Sequence, residues 1–297
     1  MSRGGARRRT LAGVDAPHAH AETLTTAGAD PHEPLDGLAD LDDAALAAEL
    51  TARAGQLAAQ MRAEGLTAGQ VGHKTSISDV VTAADHAAEE LVTTALRQVR
   101  PEDGIVGEEG AEAPSASGRT WVIDPVDGTY NFLSGMAYWC SALALRDDEG
   151  VVLGAVHQPV TGEAWLGGRG LPTTLGGSPL RPLDDLPLDQ VCLATYLHPT
   201  RLTRPDLVEP WRALCFGAAT VRMLGSGSCD LAAVAAGRIG VWAQALVPEW
   251  DWLPGAALVQ AAGGQTVQVD VRGTTWSVAG RPSAVESAVQ ALTGAGG

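Results

Sequence analysis

The chain has 297 residues and a formal net charge of −15, with 35 acidic side chains against 20 lysines and arginines. That length suits one large or two modest domains with an ample core, and the acidic balance argues against nucleic acid as a partner. No apolar stretch is long and charge-free enough to span a bilayer, and no signal-peptide apolar core follows the N-terminus. Cys140, Cys192, Cys215 and Cys229 show no metal-type pairing and sit among apolar or small neighbours, which fits buried free thiols in a reducing cytoplasm.

Residues 1–36 read as an unstructured extension: a basic head (Arg3, Arg7, Arg8, Arg9), then a Pro/His/Ala/Thr-rich stretch without periodicity. Asp40 is placed to cap a helix running to about Glu64, with Asp42 and Asp43 in its first turn. Leu46, Leu50, Ala54, Leu57 and Met61 recur at helical spacing and give it one apolar stripe. A polar, loop-like segment begins at His73-Lys74-Thr75-Ser76. Thr82 starts a second helix, whose buried face is Ala88, Leu91, Val92, Ala95, Leu96 and Val99. Asp85 falls in its first turn, where a helix-dipole charge is the common role.

Two acidic turns follow. Val106-Gly107-Glu108-Glu109-Gly110 ends a short apolar segment with adjacent carboxylates. Trp121-Val122-Ile123 reads as a buried strand that stops at Asp124, where Asp124-Pro125-Val126-Asp127-Gly128-Thr129 takes over. Pro125 limits the backbone so that Asp124 and Asp127 can face one place, Gly128 admits a ligand close to the main chain, and Thr129 adds a hydroxyl. Oxygen-only donors of this kind suit a hard cation such as Mg²⁺ rather than zinc. Taken alone, the same residues equally describe a solvated turn.

Further on, Trp139 to Arg146, Val151 to Val156 and Glu163 to Leu166 read as consecutive strands, and Gly176-Gly177-Ser178-Pro179-Leu180 as part of a hairpin. Breakers from Pro182 to Pro187 suggest a boundary, giving an N-terminal α+β domain over 37–187 and a C-terminal α/β domain over 188–297. In the second half Val191 to Tyr196 is a strand and Leu207 to Leu214 helical. Gly225-Ser226-Gly227-Ser228 precedes an Ala-rich helix, Cys229 to Ala236; it offers backbone N–H groups to an anion or simply permits close packing. Ile239 to Ala243 is a strand. Asp251 begins a helix with Pro254 in its first turn, ended by Gly263-Gly264.

Three ordered motifs now stand together: Gly107-Glu108-Glu109; Asp124-Pro125-Val126-Asp127-Gly128-Thr129 with Asn131-Phe132; and Trp250-Asp251 with Gly255 and Ala261-Ala262-Gly263-Gly264. From about Lys74 to near the C-terminus the chain resembles the inositol monophosphatase family, lithium-sensitive, Mg²⁺-dependent phosphomonoesterases. The resemblance implies a layered αβαβα fold of α+β class, with a large antiparallel sheet backed by two helices and a second, mixed sheet with its own helices. It implies two or three Mg²⁺ ions held by Glu108, Asp124, Asp127, Asp251 and the Val126 carbonyl. Those ions would reverse the sign of an acidic site that must take an anion.

By the same resemblance the Gly128 and Thr129 amides hold phosphate, and Thr129 and Glu108 orient the attacking water and accept its proton. Glu109 supports the ligand shell. Asp85 lies near a weaker third metal position, and Lys74 belongs to a mobile loop. Gly225, Ser226 and Gly227 touch the substrate's hydroxyl-bearing part, and a cytoplasmic homodimer is expected. No aspartyl phospho-enzyme is implied, since the order differs from Asp-x-Asp-x-Thr. Counting back from Asp251, Gln244 stands where relatives usually carry a glutamate that receives substrate hydroxyls; Gln accepts and donates hydrogen bonds but has no charge. Inositol monophosphate is the default substrate. Histidinol phosphate, fructose 1,6-bisphosphate and 3′,5′-bisphosphate nucleotides are alternatives, and a catalytically weak binding or regulatory protein is the rival class.

Overall fold

The computed structural model describes residues 37–65, 71–73 and 80–294; the expected N-terminal extension and Lys74 lie outside the described residues. Helix α1, Asp43–Glu64, is capped by Asp42, whose carboxylate accepts from the Ala45 amide at 2.8 Å. The cap is therefore Asp42 and not Asp40, which sits in a short 3₁₀ turn that buries Leu38. Helix α2, Ala83–Val99, starts with a reciprocal capping box between Thr82 and Asp85. Strands β1 (Val71–His73) and β2 (Val80–Thr82) form a separate hairpin ahead of it.

The first large sheet contains β3 (Gly104–Gly107), β4 (Glu112–Ala113), β5 (Thr120–Asp127), β6 (Cys140–Asp147), β7 (Gly150–Gln158), β8 (Glu163–Gly168), β9 (Leu171–Leu175) and β10 (Ser178–Pro179), in the order β10-β9-β8-β7-β6-β5-β3-β4. Every pair is antiparallel except β3 with β5, so this sheet too is mixed. The strand expected to stop before Asp124 runs on to Asp127. Its register against β6 slips between Asp124 and Asp127, and Ser141 Oγ donates to the Pro125 carbonyl at 2.6 Å, so a residue without an N–H is carried inside a buried strand. Helix α3 (Thr129–Leu133) follows at once.

The chain then crosses to a five-stranded sheet. Around it come β11 (Cys192–Thr195), α4 (Pro205–Gly217), β12 (Thr220–Arg222), α5 (Gly227–Ala235), β13 (Val241–Ala245), α6 (Glu249–Ala261), β14 (Gln265–Val271), β15 (Thr274–Gly280) and α7 (Pro282–Gly294), with strand order β12-β11-β13-β15-β14. The first three strands in that order are parallel; β14 and β15 close it as an antiparallel pair.

Three apolar clusters show the layering. Leu46, Leu50, Val92 and Leu96 pack on one face of the first sheet with Ile123 and Leu143. Val156 and Trp165 of its other face meet α5 and α6 through Leu231, Leu258 and Val259, and Trp242 and Ala279 of the second sheet join them. The outer face of the second sheet buries Val241, Trp276 and Val278 against Leu207 and Leu214 of α4 and Val285 and Leu292 of α7. The order is helices, sheet, helices, sheet, helices. Cys140 and Cys229 are buried, whereas Cys192 and Cys215 are only half-buried, and all four are free thiols.

Helix α6 is wedged in the middle layer at two glycines. A methyl on Gly154 of β7 would stand 2.1 Å from the Pro254 carbonyl, and one on Gly255 would stand 2.2 Å from Leu231 Cβ of α5. The substitution Gly255→Ala therefore forces backbone movement and is expected to lower stability by about 1–3 kcal/mol, read by urea unfolding.

His157 on β7 is buried, and burial lowers its pKa from 6.5 to about 4. The unfolded chain takes up this proton first, so stability is full above pH 6.5 and falls as pH drops toward 4. The loss reaches about 3 kcal/mol. A His157→Leu variant should remove that part of the acid dependence in urea titrations at pH 7, 6 and 5.

Candidate metal centre

The acidic motifs converge where three elements end. Strand β5 delivers Asp124 and Asp127, and the first turn of α6 delivers Asp251. One carboxylate oxygen from each of the three lies within 4.8 Å of the other two. Glu108, on the turn leaving β3, lies against Asp124 and adds its charge to that felt by Asp85, Asp124 and Asp127. Stacking of Trp252 on Trp242, ring centroids 5.8 Å apart, ties the start of α6 to β13.

The two β5 carboxylates differ sharply. Asp127 is buried but supplied with donors from the start of α5. Ser226 Oγ reaches its Oδ2 at 2.9 Å, the Ser228 amide reaches the same atom at 2.5 Å, and the Gly227 amide reaches Oδ1 at 3.3 Å. These bonds and the helix dipole favour its anion, yet burial prevails and raises its pKa to about 6. Asp124 is fully buried, and among the described residues no amide, hydroxyl or cationic side chain donates to either of its oxygens. Burial first, then the charges of Glu108, Asp127 and Asp251, hold its pKa well above the carboxylate range.

A neighbouring constellation centres on Thr129. Its hydroxyl lies 3.1 Å from Asp85 Oδ1 and 3.0 Å from the Val126 carbonyl, so one proton is directed at either acceptor. Asp85 also accepts from the Thr82 amide and hydroxyl, and burial raises its pKa to about 6 despite those bonds. Asp85 is thus more than a helix-dipole charge: it joins α2 to the turn that follows β5. Gly128 has φ 92°, a left-handed conformation that favours glycine, and a Cβ there would sit 3.1 Å from that of Ser226 and 3.2 Å from the Gly225 carbonyl.

The Gly225-Ser226-Gly227-Ser228 loop leads into α5. Its hydroxyl and amides are aimed at a carboxylate of the protein itself, Asp127, so the anion at the start of α5 is internal. Gln244 lies half-buried on β13, in register with Ser277. The Glu109 side chain is buried, with His86 Nδ1 4.0 Å from it.

Several further groups hold these elements together. Asn131 Nδ2 donates to the Tyr138 and Leu224 carbonyls at 2.8 and 2.7 Å, stitching α3 to the loop before α5. Arg62 of α1 donates to the Phe132 and Met136 carbonyls and lies 5.2 Å from the ring centroids of both Phe132 and Trp139. Glu89 of α2 accepts from the Glu109 and Ala111 amides. A surface cleft of about 540 Å³ between Glu149, Arg169 and Gln260 is lined by none of these residues. The chemistry, not this cleft, marks the site.

Hard oxygen donors, several anions in one buried place and two carboxylate oxygens without a donor fit a divalent cation such as Mg²⁺. The family model described as the inositol monophosphatase family matches residues 40–293, reaching further toward the N-terminus than the sequence motifs do. The chain is 36% identical over 193 residues to the Nus factor SuhB of Pseudomonas aeruginosa, covering 63% of this chain and 71% of that protein. It is 34% identical over 196 residues to an inositol-1-monophosphatase of Rhizobium meliloti, covering 65% and 73%. A solved inositol monophosphatase from Anabaena (Nostoc) sp. superposes with a TM-score of 0.73 at 26% identity, covering 84% of this chain and 95% of that one.

Cation binding should relieve the repulsion and stabilise the fold. At a hundred times its dissociation constant a divalent cation is expected to add about 2.7 kcal/mol, seen as a rise in Tm over the chelated protein. The effect should shrink as pH falls through about 6, where Asp127 and Asp85 take up protons.

Proposed function

The chain belongs to the inositol monophosphatase family, and from that premise we propose that it is a Mg²⁺-dependent phosphomonoesterase acting on a small polyol or sugar phosphate, with inositol monophosphate as the reference substrate. The observation that supports this reading is the meeting of Asp124, Asp127 and Asp251 around two buried carboxylate oxygens with no donor. Two or three ions would be held by Glu108, Asp124, Asp127, Asp251 and the Val126 carbonyl. Magnesium supplies positive charge and Lewis acidity there, which draws a phosphate anion into an acidic cage and makes water a better nucleophile at neutral pH.

The chain's own groups do the rest. With its proton committed to Asp85 or to Val126, the Thr129 oxygen presents lone pairs that orient a water for in-line attack. Glu108 accepts the water's proton. The Gly128 and Thr129 amides position the phosphate, and the departing alkoxide takes a proton from solvent. Asp127, fixed by Ser226, Gly227 and Ser228, keeps its geometry through turnover. Gln244 faces the alcohol side, where it binds hydroxyls without attracting a cation. We read the protein as a lithium-sensitive homodimer of the cytoplasm, checked by Li⁺ titration, sedimentation and fractionation.

The similarity to a protein named Nus factor SuhB supports a second reading, a catalytically weak binding or regulatory protein. Phosphate release separates the two. Purified protein with Mg²⁺ should release phosphate from myo-inositol 1-phosphate and become inactive with excess chelator. Asp124→Asn should lower kcat/KM by at least about 10²-fold, and full activity in that variant would end the proposal. Gln244→Glu should shift preference toward histidinol phosphate by about tenfold, or about 1.4 kcal/mol, because it restores an anion facing the amine.

A further inference from the structure

The turn that carries Glu108 is built around a carboxylate the motifs do not contain. Glu89, on α2, is buried at 5% exposure, and its two oxygens are divided between two amides: Oε2 accepts from Glu109 N at 2.9 Å and Oε1 from Ala111 N at 2.8 Å. The turn closes around it, with the Gly107 amide on the Ala111 carbonyl at 2.7 Å and the Glu108 amide on the Ile123 carbonyl of β5 at 3.1 Å. Gly107 is the floor of this seat, since any Cβ there would lie 2.2 Å from Glu89 Oε2. Leaving a buried carboxylate unpaired is costly, so the two amides and the carboxylate fix one another.

Glu89 lies one helical turn after Asp85, on the same side of α2. Asp85 reaches the Thr129 hydroxyl that leaves β5, and Glu89 reaches the amides of the turn that leaves β3. One helix therefore mounts both acidic turns. We propose that Glu89 is a positioning residue of the metal centre: it sets the backbone of the Glu108–Glu109 turn, and through it the Glu108 carboxylate, in the place where a cation is to be held. This rests on the metal-dependent phosphatase reading.

The test uses the full chain and Mn²⁺ as the probe. Glu89→Gln keeps the volume but turns an NH₂ group on one of the two amides. Calorimetry should show Mn²⁺ bound about 10–100-fold more weakly. The Mg²⁺ concentration for half-maximal phosphate release should rise by the same factor, while KM for the ester at saturating Mg²⁺ moves less than about threefold. A purely structural role would lower Tm without moving the metal affinity, and Mn²⁺ affinity within about twofold of the unaltered protein overturns the inference.

Should the variant not fold, hydrogen exchange in the unaltered protein still decides. The Glu109 and Ala111 amides should exchange far more slowly than those of an open turn, and fast exchange overturns the proposal. If the unaltered protein binds no Mn²⁺ and releases no phosphate, the phosphatase reading fails and takes this inference with it. If it does both and the variant matches it, this inference alone fails.

Discussion

The structure depends on holding several carboxylates together in a place from which water has been removed. Asp124 is the extreme member, fully buried, and among the described residues no amide, hydroxyl or cationic side chain donates to either of its oxygens. A carboxylate in that position is tolerable only if protonated or faced by a cation, and around it stand Glu108, Asp127 and Asp251, each raising the cost of its charge. The rest of the fold has to keep these groups from moving apart. That is the ordinary relaxation of like charges, and it would destroy the site.

The architecture answers with short, stiff connections. Asp124 and Asp127 stay inside the strand and do not lie on the loop beyond it, so the bulge at Pro125 turns them without freeing them. Asp251 rides on α6, which cannot slide because Gly154 lets the β7 backbone meet the Pro254 backbone and Gly255 lets the Leu231 side chain of α5 pack on the α6 backbone. The turn after β3 is seated on Glu89, and α3 is gripped at its far end by Arg62. Each acidic group therefore comes from an element whose position is set by packing elsewhere, and the site is as rigid as the middle layers that carry it.

What could be read from the sequence follows from this division. Acidic side chains that must gather in one place are particular residues at particular spacings, so the meeting of Glu108, Asp124, Asp127 and Asp251 is legible in the sequence, and the layered fold comes with it. Groups that hold those side chains act through the backbone, which many sequences can present. Glu89 looks like any other acid in an amphipathic helix, and Asn131 gains its role only when Leu224, distant along the chain, comes beside it. The Ser226 loop reads in sequence as either an anion-binding helix start or a close-packing segment, and the anion it meets is Asp127, a pairing that only three-dimensional proximity decides. β14, β15 and α7 carry no chemistry and went unread for that reason, although the alternation in Gln265–Val271 is that of a half-buried strand. The Asp40 cap failed because the burial of Leu38 draws the preceding residues into a turn and passes the cap to Asp42.

The contrast between Asp124 and Asp127 gives the site its direction. Asp127 receives three donors from the start of α5, so most of its charge is already balanced and it holds position with or without a cation. Among the described residues Asp124 receives no amide, hydroxyl or cationic donor, so its charge is left for a cation or a proton to balance. A cage in which every carboxylate were balanced internally would have little reason to bind a cation, and one in which none were would fly apart without it. Fixing one wall and leaving the facing one unbalanced yields a preformed group of carboxylates whose unmet demand is for positive charge. The demand sits beside Thr129, whose hydroxyl is committed to Asp85 and Val126 and whose lone pairs are free to face the same space.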